Sequence, residues 1–81
     1  MYELYKIKEN LYQIHCKDAR LQAMEGSLLA IGTYMVNTLG FSPLELEAAL
    51  LAMLERDMDA AHFGINRTFM WPFNKADRKV G

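Results

Sequence analysis

Residues 2–17, YELYKIKENLYQIHCK, alternate apolar and polar side chains and are rich in Tyr and Ile, the pattern of a half-buried β-hairpin. With Glu9 and Asn10 as a two-residue loop, Ile7 faces Tyr12 and Tyr5 faces Ile14, and Cys16 follows on the same side. Lys6 then falls opposite Gln13 on the other side, so like meets like across the strands. Asn10 tolerates the positive φ that such a loop needs. Leu4, Ile7, Leu11 and Ile14 also keep helical spacing, which leaves an all-α three-helix bundle as the alternative.

The period then changes. Leu21, Met24, Leu28, Ile31, Met35 and Leu39 recur at three- and four-residue steps, predicting a helix capped by Asp18 and running to about Leu39. A second helix starts at Ser42, with Pro43 in its first turn and Glu45 completing a Ser-x-x-Glu capping box. Its apolar stripe passes through Leu46, Leu50, Met53, Leu54, Met58 and Ala61, and Gly64 is placed to end it. Ile65, Phe69 and Trp71 share one parity in INRTFMWPF, predicting a last strand ended by Pro72. The expected architecture is therefore α+β in the order β-β-α-α-β, an antiparallel helical hairpin packed on a small antiparallel sheet. Residues 1–73 form the single domain, and residues 74–81 are expected to be a mobile polar tail.

Composition adds a constraint on partners. Eighty-one residues make a small domain, yet 52% of them are apolar, more than a core of that size absorbs. The surplus needs a cover, and a second copy of the chain or another protein is the natural one. Nine basic against ten acidic residues leave a net charge of −1, so nothing draws the chain toward nucleic acid. Residues 26–44 carry no charge but are interrupted by glycines, Ser, Thr, Asn and Pro, which suits a buried helix and a turn better than a membrane span. A lone cysteine, Cys16, and the charges in MYELYKIKEN fit a soluble cytoplasmic protein.

The stretch LGFSPLELEA, residues 39–48, has the outline of a helix-turn-helix. Its second helix, however, would present Pro43, Leu44, Glu47 and Ala48, with Glu45 beside them, to the major groove. Carboxylates and apolar side chains read base edges poorly and repel phosphate. A structural corner accounts for the same residues, with Gly40 ending one helix and Phe41 packing on Val36 behind it and Leu46 ahead. A DNA-binding regulator using Arg56 or Arg67 is thus the second alternative function.

Candidate chemistry is sparse. Glu55, Asp59 and His62 would share a face of an extended second helix, a carboxylate/histidine spacing that binds metals in helical bundles. A metal- or small-ligand-binding protein is the first alternative on that ground. His15 and Cys16 are neighbours on a strand and point to opposite faces, so they form no nucleophile–base pair. The sequence accordingly leads to a small non-enzymatic protein-interaction module without a cofactor, expected to be a homodimer. Its expected contact surface joins the outer hairpin face, Tyr2, Leu4 and Leu11, to the aromatic stretch Phe69, Met70, Trp71 and Phe73.

Overall fold

β1 (Tyr2–Lys8) and β2 (Leu11–Cys16) form the expected hairpin, with Asn10 at φ 56° in its loop. The computed structural model describes residues 1–16 and 23–76. After the hairpin come β3 (Met24–Gly26), α1 (Leu28–Asn37), α2 (Pro43–Glu55), β4 (Ala60–Phe63) and β5 (Phe69–Phe73). The strands make one antiparallel sheet in the order β3-β2-β1-β4-β5. Both helices lie on one face of it, α1 over β2 and β3, α2 over β4 and β5. The class is α+β, and the all-α alternative does not hold.

The hairpin differs from its expected register, and one residue explains the difference. Beside the loop Lys8 pairs with Leu11, as a two-residue loop requires. A bulge then takes up Ile7, so that Lys6 pairs with Tyr12 and Leu4 with Ile14. An extra residue turns every later side chain on that strand to the opposite face. Tyr2 and Leu4 therefore face the helices, and Leu4 is fully buried in the core. Glu3 and Tyr5 take the other face.

Two expected helix boundaries also move. The first helix begins at Leu28, with Ser27 as its cap accepting from the Ala30 amide. Asn10, in the hairpin loop, accepts from the Leu28 amide and ties the loop to the same helix end. Met24 to Gly26, expected to be helical, instead pair with Tyr12 to Ile14 at the sheet edge. The expected cap Asp18 and stripe residue Leu21 lie outside the described residues. The second helix starts as expected, and the Ser42 hydroxyl accepts from the Leu44 amide. It ends at Glu55 rather than near Gly64, because Asp57 adopts φ 53°. The Met58 amide then donates to Met53 and the Asp57 amide to Leu54, a Schellman closure with aspartate where glycine is usual.

Ala60 to Phe63 follow at once as a central strand, every residue buried. Its partner β5 shifts register between His62 and Phe63, with Met70 as the extra residue. Phe69 thereby joins the core beside Phe63, while Trp71 lies against His62 on the opposite face. Pro72, expected to end the strand, is accommodated within it because β5 is an edge.

The corner between the helices closes the core. Gly40 has φ 81°, and the Phe41 amide donates to the Met35 carbonyl. Phe41 is buried edge-on between Tyr2 and Phe63, at ring separations of 5.1 and 4.9 Å. The Glu45 carboxylate does not close a capping box; it accepts from the Phe69 amide at 2.7 Å and fastens α2 to β5. Phe41→Ala is expected to cost about 3–5 kcal/mol of unfolding free energy; a loss below about 1 kcal/mol on denaturant titration would contradict this packing. Asp57→Gly is expected to stabilise by roughly 0.5–1 kcal/mol, since glycine takes the left-handed conformation freely; unchanged or lowered stability in the same titration would count against the closure.

Candidate interaction surface

A helix ten residues long without a charged side chain, α1, normally lies inside a protein. Here Ile31 and Met35 point into the core, but Leu29 and Thr33 look outward. α2 does the same: Ala49 and Met53 are buried, while Leu44, Leu51 and Leu54 are exposed. Leu29 and Leu54 keep 81% and 77% of their surface in water.

The two helices sit side by side on the sheet with little direct backbone approach. Between them runs an open groove of about 610 Å³. Leu46 crosses its floor toward Gly32, where an added Cβ would stand 3.4 Å from the leucine Cδ2. Leu29 and Val36 form one wall, Pro43, Leu51 and Leu54 the other, and among the described residues Glu47 is the one ionisable group on either. Beside it a second hollow of about 250 Å³ reaches Tyr12 and Met53 and shares Leu28, Leu50 and Leu54 with the groove.

The other face of the sheet is built differently. The cross-strand register sets His15, Glu3, His62 and Trp71 in one row, and Glu25, Gln13, Tyr5, Ala60 and Phe73 in the next. Glu3, in the centre, is only 1% exposed although both α1 and α2 lie on the opposite face. The Tyr5 hydroxyl donates to one carboxylate oxygen, and the His62 Nδ1 stands 3.5 Å from the other. The indole of Trp71 stacks on the His62 ring at 4.6 Å and 20°. Phe73 and His15 pack edge-on against Tyr5, and the Lys75 ammonium lies 5.5 Å above its ring. Gln13 donates to Glu25 at 2.6 Å and lies 3.0 Å from His15 Nε2. Aromatic rings and hydrogen bonds thus shield a carboxylate from water, as a buried charge requires.

The residues singled out from sequence are scattered by this fold. Leu4 is core, and Tyr2 is half-buried between Phe41 and the Arg67 guanidinium, 5.6 Å from its ring. Phe69 packs against Phe63, while Leu11 and Phe73 are half-buried. Only Met70 and Trp71 are exposed, so the expected single patch does not form. The metal reading fails on geometry. Glu55 ends α2, Asp59 accepts from the Lys75 amide at 2.7 Å, and His62 is on β4 beside Trp71. Among the described residues no three His, Cys, Asp or Glu side chains come together as metal ligands.

What the sequence reading missed is the outer leucine face, and its signal was the uncharged window at residues 26–44. Leu54 falls on the predicted core stripe, and an uncharged window predicts burial as readily as an exposed apolar face. Glu3 left no signal, since its surroundings come from three other strands.

The fold and these surfaces define a class: an α+β domain with a leucine-rich helical hairpin, its first helix uncharged, over one sheet face. Comparison with protein-family models, with curated proteins and with solved structures gave no match. No helix among the described residues is long and apolar enough to cross a membrane.

Glu3→Ala is expected to cost about 1–3 kcal/mol in a denaturation midpoint series, because the Tyr5 hydroxyl loses its buried acceptor; an unchanged midpoint would show that the carboxylate does no structural work there. Trp71 is the single tryptophan, so its emission reports on the stack alone. His62→Ala should change its intensity while the far-ultraviolet spectrum stays constant, and an unaltered emission would mean the rings do not stack in solution.

Proposed function

We propose that this protein is a small non-enzymatic interaction module that docks another polypeptide on the outer face of its helical hairpin. One observation carries the reading: leucines on both helices stand in water around an apolar groove. Bare apolar faces of this kind are rare on monomers and mark protein contacts. Among the described residues the groove walls offer one ionisable side chain, Glu47, with no second titratable group beside it to pass a proton on. Among the described residues they carry no Lys or Arg for phosphate, which favours a polypeptide over nucleic acid or an anionic membrane. The lone cysteine fits a reducing compartment, and the cytoplasm is the proposed location.

The interface read from the sequence, on the hairpin and the C-terminal aromatics, is replaced by this face. The DNA-binding reading gains nothing, since α2 opens with exposed Leu44 and Glu47 while Glu45 is held by the Phe69 amide.

A benzophenone amino acid in place of Leu54 tests the proposal in the living host. Illumination should give a discrete adduct from position 54 and none from Glu9 in the hairpin loop. Leu29→Glu in the same chain should abolish it. No adduct at position 54, or equal adducts at both positions, overturns the reading.

A further inference from the structure

We infer that the smaller hollow, at the C-terminal end of α2, binds a free α-amino acid with a short apolar side chain, a ligand that does not depend on any polypeptide docked beside it. Three departures from ordinary folding rules meet there. The bulge at Ile7 turns Lys6 to the helix-facing side of the sheet, opposite Tyr12, where a lysine is seldom found. Tyr12 is only 9% exposed, yet among the described residues its hydroxyl makes no hydrogen bond within the chain. That oxygen is not sealed from solvent, and the hollow is the open space the tyrosine lines. Asp57 holds a left-handed conformation at φ 53° that glycine would adopt more easily. Strain of this kind gathers at ligand sites, where the side chain is needed in place.

Charge defines the ligand. Lys6 and Asp57 line one hollow with opposite charges, but among the described residues their side chains form no ion pair with each other or with any other group. A cation and an anion left open side by side suit a molecule that carries both charges itself. Its carboxylate would lie against the Lys6 ammonium and the Tyr12 hydroxyl. Its ammonium would lie against Asp57, where the last turn of α2 adds the negative end of the helix dipole. Leu28, Leu50 and Met53 supply an apolar floor for the side chain. The hollow, about 250 Å³, is smaller than the roughly 300–1,000 Å³ of pockets that take drug-sized molecules, so the ligand is small. A fatty acid would leave Asp57 without a counter-charge, and a simple amine would do the same to Lys6.

Methyl spectra of protein labelled at its methionines test this, with L-leucine as the probe. Met53 and Met58 line the hollow, whereas Met70 stands beside Gly64 on β5. Titration should shift the first two signals to saturation and leave Met70 in place. Isocaproate, which lacks the ammonium, and isoamylamine, which lacks the carboxylate, should each bind at least about tenfold more weakly, the loss expected when one charged hydrogen bond is gone. Asp57→Gly should weaken L-leucine by a similar factor while the fold itself gains stability, so unfolding cannot account for the loss. Lys6→Gln should act likewise through the carboxylate. No saturable shift at Met53 and Met58, or undiminished binding in Asp57→Gly, overturns the site. An affinity for either single-charge analogue equal to that for L-leucine overturns the assignment of an amino acid.

Discussion

Phe41 joins the two layers of this molecule, and much of the helical side depends on where its ring lies. The residue belongs to the turn between α1 and α2, yet its ring is packed edge-on between Tyr2 of β1 and Phe63 of β4. Phe63 in turn meets Phe69 of β5. A corner that inserts an aromatic ring into the sheet fixes the height and direction of both helices together. Gly40 permits it by adopting φ 81° immediately before the ring, a conformation that costs an L side chain energy but glycine little. With the corner anchored and Glu45 fastened to the Phe69 amide, the helices need not touch each other closely. That separation opens the groove.

Helices on one side of a sheet leave its other face and their own outer face without a helix over them, and the chain treats the two in opposite ways. On the sheet face away from the helices it buries a carboxylate under Tyr5, His62 and their aromatic neighbours. Desolvating Glu3 costs free energy, and the bonds and rings around it offset that cost within the chain itself. On the outer helix face it leaves leucines in water, and nothing among the described residues covers them. The buried carboxylate has partners within the chain, and the exposed leucines have no cover among the described residues, so the apolar face is where association gains most.

Much of the architecture could be read before any coordinates. The strand period of residues 2–16, the loop at Glu9 and Asn10, and the Ser42-Pro43 helix start each rest on interactions between near neighbours, and each is present. The failures have a common origin. A bulge at Ile7 and another at Met70 each add a residue to one strand without a mark in the local pattern. Each reverses a face, sending Leu4 inward and parting Trp71 from Phe69. The helix end at Asp57 lacks the glycine that announces such closures, so the local pattern carries the predicted helix on through Ala60 to Phe63. Two alanines favour no strand locally; they become one because β1 and β5 lie on either side.

The sequence by itself determined the α+β class, the helical corner and the existence of an apolar surplus, because composition and short-range periodicity carry those. Tertiary structure alone decided where the surplus lies. A leucine on a helix is inside or outside according to how the helix is rotated against its neighbours, and that rotation is set here by Phe41, Ile31, Met35 and Met53 packing on the sheet. The same holds for Glu3. Its burial is produced by side chains that the sheet order β3-β2-β1-β4-β5 brings to it from positions as distant as His62 and Trp71. Long-range pairing makes such surroundings, and no window of the chain contains them.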